Sequence, residues 1–253
     1  MMNGDSSTYV VKAERLTKKF GAFTAVDEIS LAVARGEIFG FLGANGAGKT
    51  TAIRMFCGLL KPTAGDSWVA GVSVRGDARE LRRRIGYMSQ KFSLYEDLTV
   101  AQNVELYGGI YNLPRSEIAQ RMAELLSRVG LNEERRRLVR DLPLGFKQRL
   151  ALGCALLHKP EVMFLDEPTS GVDPAMRRVF WDIIYDIADR GATVFVTTHY
   201  MDEAEYCRRV SVMAAGSIIA LAAPSQLKKE TGAATMQDAF LTLVRTAAER
   251  RVR

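Results

Sequence analysis

Four short runs of apolar residues, each closed by a glycine or a polar residue, form the clearest pattern along this chain. They are EIFGFLG (37–43), RIGYMSQ (84–90), VMFLDE (162–167) and TVFVTTH (193–199). Continuous apolar runs of this length are typical of strands buried on both faces of a sheet. Because helical patterns separate these runs, the sequence predicts an α/β fold with a largely parallel sheet.

The residues that close these runs are suited to ligand binding or catalysis. They are Gly43, Gln90, the pair Asp166 and Glu167, and His199. In open α/β sheets, ligands bind beyond the carboxyl ends of the strands. We therefore expect these residues to share one site.

The segment 92–158 differs in character from its surroundings. Its stretch 115–130, RSEIAQRMAELLSRVG, has apolar residues at three- and four-residue spacing, which is typical of an amphipathic helix. We interpret 92–158 as a helical subdomain inserted into an α/β core made of residues 9–91 and 159–223.

The two ends of the chain are predicted to lie outside this core. Residues 1–8 are expected to be disordered. Residues 224–253 are expected to form a C-terminal helical tail that contains a helix at 236–244. The uncharged stretch 210–224 is interrupted by glycine and proline and predicts two buried strands around a turn, not a membrane span. His158 is placed at a helix end, where it would interact with the helix dipole and have no catalytic role.

Composition narrows the function classes only a little. A net charge of +6 favours an anionic partner, such as nucleic acid, an anionic membrane surface or a phosphorylated ligand. Three widely spaced cysteines indicate free thiols in a reducing compartment. With no signal-peptide pattern at its start, the chain is expected to be soluble on its own.

The first apolar run leads into a phosphate-binding motif. GANGAGKTT (43–51) satisfies the P-loop pattern G-x-x-x-x-G-K-[ST]. Its backbone N–H groups would surround phosphate oxygens, Lys49 would reach the β- and γ-phosphates, and the Thr50 hydroxyl would bind Mg²⁺. The predicted nucleotide-binding residues here are Gly43, Ala44, Asn45, Gly46, Ala47, Gly48, Lys49, Thr50 and Thr51.

A P-loop is shared by kinases, GTPases, motor proteins and transport ATPases, so it does not define the reaction. The third run adds Asp166, which is placed to hold Mg²⁺, and Glu167, which could polarise an attacking water as general base.

From FLDEPTSGVDP (164–174) onward, the sequence resembles the nucleotide-binding subunits of ATP-binding cassette (ABC) transporters, over about residues 10–244. The resemblance implies a P-loop NTPase (RecA-like) core with an antiparallel N-terminal β region, and ATP and Mg²⁺ as cofactors. It implies that Gln90 senses the γ-phosphate and Mg²⁺ and that His199 contacts the γ-phosphate. It also implies that Asp173 lies at a dimer interface and that Phe20 stacks on adenine. Asp173 has a local role as well, since DPAMRRVFWDII predicts a helix N-cap followed by proline.

The amino-acid sequence of 177–191 and 198–210 resembles that of the ATPase subunits of ABC-2 type exporters, the branch that serves drug efflux. This resemblance implies membrane-spanning permease partners, a second ATPase subunit and a location on the cytoplasmic face of the membrane. Nucleic acid is not an expected partner. The stretch 90–113, with Phe92, Leu94, Tyr95 and Tyr107, is a candidate surface for the permease, with core packing as the alternative.

LPLGFKQRL (142–150) occupies the place of the family's signature loop, which is usually Leu-Ser-Gly-Gly-Gln. Leu142 and Gly145 match, and Gly145 would serve the partner's ATP in trans, whereas Pro143, Leu144 and Phe146 depart from the pattern. Because Pro143 has neither a hydroxyl nor an N–H group, one contact to the γ-phosphate would be lost. The sequence leaves open a homodimer with two weakened sites, a heterodimer with a cassette that has a full signature, a regulatory chain that binds ATP without turnover, and a soluble ATPase acting on nucleic acid or ribosomes.

Overall fold

The structure, a computed structural model, describes residues 8–91 and 93–252, with side chains through residue 250. Residues 1–7 of the segment predicted to be disordered lie outside the described residues, as does Phe92 of the candidate permease surface. The chain forms two sheets with helices packed on both faces of the larger one.

The larger sheet has six strands in the order β10-β9-β3-β8-β7-β6. The strands are β3 (Ile38–Leu42), β6 (Ile85–Met88), β7 (Val162–Asp166), β8 (Thr193–Thr198), β9 (Arg209–Ala214) and β10 (Ser217–Ala222). Neighbours from β9 through β6 run parallel, and only β10 is antiparallel to its neighbour. All four apolar runs thus form parallel strands, as predicted.

The smaller sheet is antiparallel and has the order β2-β1-β4-β5. Its strands are β1 (Tyr9–Phe20), β2 (Phe23–Ala34), β4 (Ala64–Val69) and β5 (Val72–Ser73). The expected antiparallel N-terminal region is therefore present. It lies beside the P-loop because the N–H of Asp27 on β2 donates to the carbonyl of Gly216, and the N–H of Gly216 donates to the carbonyl of Ala47.

The helices connect the strands of the larger sheet and follow it at the C-terminus. They are α1 (Lys49–Phe56), α2 (Ala78–Arg84), α3 (Val100–Ile110), α4 (Arg115–Arg128), α5 (Leu144–Leu156), α6 (Pro174–Asp189), α7 (Pro224–Thr231) and α8 (Met236–Val252). Helices α3 to α5 lie between β6 and β7 in the chain, where the helical subdomain is predicted. The predicted helices at 115–130 and 236–244 correspond to α4 and to the first half of α8.

Alternating residues of the parallel strands enter two separate apolar clusters, as the period of a strand requires. Ile38 and Leu42 pack with residues of α3 to α6, whereas Phe39 and Phe41 pack with α1 and the antiparallel sheet. The apolar core of α3 to α5 is therefore continuous with one face of the sheet. The division into a core and an inserted subdomain stays a prediction.

Two local expectations need correction. Of the two strands predicted in 210–224, β9 is buried but β10 is mostly half-buried, because β10 lies at the edge of the sheet. His158 does not act as a charged residue at a helix end. Burial lowers its pKa to about 4, its Nε2 contacts the carbonyl of Ile85, and its ring stacks on Tyr111. At pH 7 it is therefore neutral and has no charge with which to stabilise the helix dipole.

Within residues 8–91 and 93–252, no helix combines the length and the apolar character that crossing a bilayer requires.

Phe195 is the centre of the aromatic core beneath the P-loop. Its ring lies 5.0 to 5.5 Å from the rings of Phe39, Phe41, Phe56 and Phe164. We expect Phe195→Ala to lower the free energy of unfolding by about 3–5 kcal/mol, because the cavity would be enclosed on all sides. Chemical denaturation measures this loss, with Phe23→Ala as the control, since Phe23 is 64% exposed. Equal losses in the two variants would contradict the prediction.

Candidate functional site

The P-loop connects the end of β3 to the start of α1 and requires glycine at defined positions. Gly46 and Gly48 have φ values of 80° and 106°, in the left-handed region that glycine tolerates. A Cβ at Gly43 would lie 2.6 Å from the carbonyl oxygen of Met213, and one at Gly48 would lie 2.5 Å from that of Ala25. The backbone therefore curls tightly against its neighbours and leaves the N-terminus of α1 at its end, an arrangement that favours phosphate.

Lys49 is a buried cation held by the loop itself. Its Nζ donates to the carbonyls of Gly43 at 2.8 Å and Ala44 at 3.2 Å, and lies 3.3 Å from Oε1 of Glu167. These contacts offset the cost of burying the charge. They also keep the ammonium group at the point where the loop and the two strand-end carboxylates meet.

Asp166 has one satisfied and one unsatisfied oxygen. Its Oδ1 accepts hydrogen bonds from the hydroxyls of Thr197 at 2.8 Å and Thr50 at 3.1 Å. Its Oδ2 is buried and has no hydrogen-bond partner among the described residues. Burial raises the pKa of Asp166 above the ordinary range, although the two hydroxyls oppose the shift.

The unpartnered carboxylate oxygen beside the Thr50 hydroxyl fits a hard divalent cation such as Mg²⁺, which prefers oxygen ligands. A cation there would favour the ionised carboxylate and so oppose the effect of burial, which raises the pKa of Asp166. Gln90, the third predicted ligand, is close by but directs its amide nitrogen to Glu167.

Glu167 is the point on which the predicted catalytic residues converge. Its Oε2 accepts a hydrogen bond from Nε2 of Gln90 at 3.1 Å and lies 3.1 Å from Nδ1 of His199, while Oε1 faces Lys49. The three strand ends after β6, β7 and β8 therefore meet, as predicted. Glu167 has a φ of +50°, an uncommon conformation for a residue other than glycine, and its N–H donates to Oγ1 of Thr197 at 2.8 Å.

A cavity of about 360 Å³ opens beside this cluster. It is lined by Asn45, Gly46, Gly48, Lys49, Thr50, Thr51, Gln90 and Glu167, and on the other side by Phe23 and Ala25. Phe23 is an aromatic residue of the cavity wall. It was not predicted from the sequence, although the segment FGAF (20–23) contains both phenylalanines of the β1–β2 turn.

Phe20 does not line this cavity. It is half exposed at 50%, pairs with Phe23 across the turn, and has the Lys18 ammonium 5.1 Å from its ring centre. Phe20 belongs to neither apolar cluster of the core, and its role in adenine stacking stays a prediction.

The remaining predicted residues lie at helix N-termini. Asp173 is the N-cap of α6, and its Oδ1 accepts from the N–H groups of Ala175 and Met176, with Pro174 at the first helical position. Gly145 lies in the first turn of α5, for which Pro143 is an N-cap without a side-chain hydrogen bond. The local capping role of Asp173 is thus confirmed, while its interface role and that of Gly145 stay predictions.

The parallel sheet, the P-loop after β3 and the Asp-Glu pair at the end of β7, two strands away in the sheet, define a P-loop NTPase-type nucleotide-binding protein. A family model described as "ABC transporter" matches residues 26–170, more than half of the chain. The chain belongs to the ABC transporter family.

Curated relatives support this assignment over most of the chain. It is 46% identical over 248 residues to the probable multidrug ABC transporter ATP-binding protein YbhF of Escherichia coli. This alignment covers 96% of this chain but 43% of YbhF. The chain thus spans less than half the length of YbhF. It is 35% identical to the linearmycin resistance ATP-binding protein LnrL of Bacillus subtilis, over 94% of this chain and 80% of LnrL. It is 43% identical to the daunorubicin resistance ATP-binding protein DrrA3 of Streptomyces coeruleorubidus, over 85% of this chain and 68% of DrrA3.

Solved structures give the same fold. An ATP-binding subunit of an ABC transporter superposes with a TM-score of 0.83 at 26% identity, covering 92% of this chain and 99% of that one. The cbiO1 protein of Clostridium perfringens, part of the ABC transporter complex cbiONQ, gives 0.81 at 30% identity, with 88% and 92% coverage.

Replacing Asp166 with asparagine should raise the free energy of unfolding at pH 7 in the absence of ligand. Burial raises the pKa of Asp166, so its ionised form destabilises the folded state at pH values above that pKa. As the pH falls toward the unfolded value of about 3.9, the folded state binds a proton first and the difference between the proteins shrinks. An asparagine oxygen can still accept from Thr50 and Thr197. Urea unfolding at pH 7 and pH 4 measures the difference.

The control for this substitution is Asp189→Asn, at an exposed position near the end of α6. A second measurement separates stability from binding. Mg²⁺ with ATP should stabilise the unsubstituted protein much more than Asp166→Asn, since binding to the folded state adds to stability. Equal stability of Asp166→Asn and the unsubstituted protein at pH 7 would show that the buried carboxylate has no such cost.

Proposed function

We propose that the chain is the ATP-binding and ATP-hydrolysing subunit of an ABC exporter, which couples closure of an ATPase dimer to substrate efflux by separate membrane subunits. The observation that supports it best is the convergence of Lys49, Gln90 and His199 on the Glu167 carboxylate at the mouth of the P-loop. The names of LnrL and DrrA3, two resistance ATP-binding proteins, support the export role.

Each residue of the cluster has a role that its position supports. The N–H groups of the P-loop and the Lys49 ammonium bind the β- and γ-phosphates and favour the charge that develops on the γ-phosphoryl group. Glu167 accepts the proton of the attacking water as general base. His199 and Gln90 hold the Glu167 carboxylate and, once nucleotide is bound, orient toward the γ-phosphate.

Thr50 and Asp166 would hold Mg²⁺, which would supply positive charge to neutralise the phosphates. The products of the reaction are ADP and phosphate. Phe23 lines the cavity beside the P-loop and Phe20 pairs with it across the β1–β2 turn, which supports a role for this turn in stacking on adenine.

The proposed complex contains a second ATPase subunit and membrane-spanning permease subunits, and would sit on the cytoplasmic face of the membrane. Gly145 and Asp173 would face the ATP of the second subunit. In the candidate permease surface, Tyr95 is 53% exposed, whereas the Tyr107 hydroxyl is committed to the carbonyl of Ser93. Tyr95 is therefore the better candidate for a partner contact.

The departing signature loop bears on the choice of partner. Because Pro143 offers no side-chain acceptor or donor at the N-terminus of α5, a homodimer would contain two weakened sites. A heterodimer with a cassette that has a full signature would contain one strong site, formed on this chain's P-loop. The same observation supports a regulatory chain with weak turnover as a second candidate.

ATP hydrolysis by the purified chain over a concentration series, beside Glu167→Gln, tests the proposal. Activity should rise more than linearly with concentration if two chains form each site, and should fall by about 10²–10⁴ in Glu167→Gln because the general base is lost. The control is Glu133→Gln, the same change at an exposed position between α4 and α5. ATP binding without turnover at any concentration would leave the regulatory chain or the heterodimer, and loss of ATP binding would overturn the proposal.

Restoring serine at position 143 tests the signature loop directly. We expect Pro143→Ser to raise turnover of the chain about tenfold to a hundredfold, the range for a hydrogen bond to a charged group. Pro114→Ser is a matched control, because Pro114 is likewise an N-cap without a side-chain hydrogen bond, at the start of α4. Both serines should improve helix capping, so a rise in turnover shared by both variants would assign the effect to stability.

A further inference from the structure

A fully buried carboxylate, that of Glu203, lies four residues after His199. Glu203, in the 3₁₀ turn Glu203–Tyr206 after β8, has 0% of its surface exposed. Its Oε1 accepts a hydrogen bond from the hydroxyl of Thr169, and its Oε2 has no hydrogen-bond partner among the described residues. An isolated buried carboxylate destabilises a protein strongly, so a cation is required close by.

Arg177, on the first turn of α6, supplies that cation. Its Nε lies 3.5 Å from Oε1 of Glu203, an ion-pair distance longer than that of a strong hydrogen bond. Its Nη1 lies 3.3 Å from Oδ2 of Asp202, and its guanidinium carbon lies 4.1 Å from the centre of the Tyr200 ring. One arginine therefore contacts three of the four residues that follow His199.

Tyr200 connects this arginine to the catalytic cluster. Its ring centre is 4.2 Å from that of His199, and its N–H donates to Oγ1 of Thr198 at 2.9 Å. His199 in turn places Nδ1 3.1 Å from Oε2 of Glu167. The guanidinium, the phenol ring and the imidazole are thus successive neighbours that end at the proposed general base.

Arg177 is itself fixed from two sides. It lies four residues after Asp173, whose side chain caps α6, and its N–H donates to the Asp173 carbonyl. Thr169, which shares the Glu203 oxygen, lies two residues after Glu167 and is 1% exposed. The Arg177–Glu203 pair therefore joins the turn after Glu167, the start of α6 and the segment after His199.

We propose that Arg177 is a positioning residue that fixes the His199 ring against Glu167 through Tyr200, with Glu203 as the buried anion that anchors it. The proposal rests on the proposed function, because His199 acts on the γ-phosphate only if the chain hydrolyses ATP. Arg177 is not among the residues that line the cavity beside the P-loop. Its effect should therefore fall on the chemical step and leave nucleotide binding almost unchanged.

The first test is kinetic and uses Arg177→Met in the full chain. We expect kcat to fall about tenfold, within the loss that a displaced catalytic group causes, and KM for ATP to change less than about twofold. The matched control is Arg178→Met, the adjacent and exposed arginine of α6. Arg177→Lys should recover part of kcat, because an ammonium can pair with Glu203 but lacks the planar group that covers Tyr200.

The second test reports on the imidazole and does not require hydrolysis. The chain has only two histidines, so ¹⁵N-histidine labelling gives one set of ring signals for His158 and one for His199. In Arg177→Met the His199 signals should shift or split, and those of His158, which lies against Tyr111 and Ile85, should stay in place. Unshifted His199 signals together with a kcat equal to that of Arg178→Met would overturn the proposal.

A third variant separates positioning from stability, since Arg177→Met leaves Glu203 buried without its cation. Glu203→Gln and the double variant Arg177→Met, Glu203→Gln remove that charge and should fold even if Arg177→Met alone does not. The double variant should keep the low kcat and the displaced His199 signals. Recovery of both to the values of the Arg178→Met control would mean that Arg177 only neutralises Glu203.

Failure of this proposal and failure of the proposed function give different results. If the unsubstituted chain does not bind ATP, the proposed function fails while the ring signals still report whether Arg177 fixes His199. If the unsubstituted chain is active and Arg177→Met matches its control in both readouts, only the positioning role fails.

Discussion

The hydroxyl of Thr197 is the interaction on which the candidate site depends. Thr197 lies opposite Asp166 in the register of β7 and β8 and is fully buried. It donates to Oδ1 of Asp166 and accepts from the N–H of Glu167, so a single hydroxyl fixes both acidic residues. Glu167 leaves the strand in a left-handed conformation, with φ of +50°, that persists only when its surroundings hold it. The two neighbouring carboxylates thereby point in different directions, one toward Thr50 and one toward Lys49.

This arrangement concentrates buried charge where ligand must bind. Lys49, Asp166 and Glu167 are all buried, and the charge of Glu167 adds to the desolvation that raises the pKa of Asp166. A site of this kind is destabilising without ligand and preorganised for a polyanion with a cation, because the groups have already lost their water. The aromatic core of Phe39, Phe41, Phe164 and Phe195 beneath it offsets that cost. The rigid sheet therefore supports residues that would not be stable together elsewhere.

Prediction from the sequence succeeded where a feature is local and failed where it depends on register. A short segment of fewer than a dozen residues determines each of the features that were predicted: the four apolar runs, the P-loop and the capped start of α6. In the sequence alone, Thr197 is an ordinary polar residue near the end of a strand. Its hydrogen bond to Asp166, 31 positions away, follows only from the pairing of β7 with β8. The same holds for Thr169 and Glu203, which are 34 positions apart. Phe23 was missed for a different reason, since the fold of the β1–β2 turn decides which phenylalanine faces the cavity.

The departing signature loop is well integrated into the fold. The guanidinium carbon of Arg149 lies 4.4 Å from the centre of the Phe146 ring. Arg149 also donates a hydrogen bond to the carbonyl of Val129. Leu144 packs over Gly171, where an added Cβ would lie 3.3 Å from Cδ2 of the leucine, and Gln148 donates to the carbonyl of Ser170. Leu144 thus contacts the loop before α6, Phe146 contacts the arginine that binds the C-terminal end of α4, and α5 keeps its helical geometry. Since α5 begins without a side-chain cap at Pro143, a serine at that position is the substitution that adds the missing donor and acceptor.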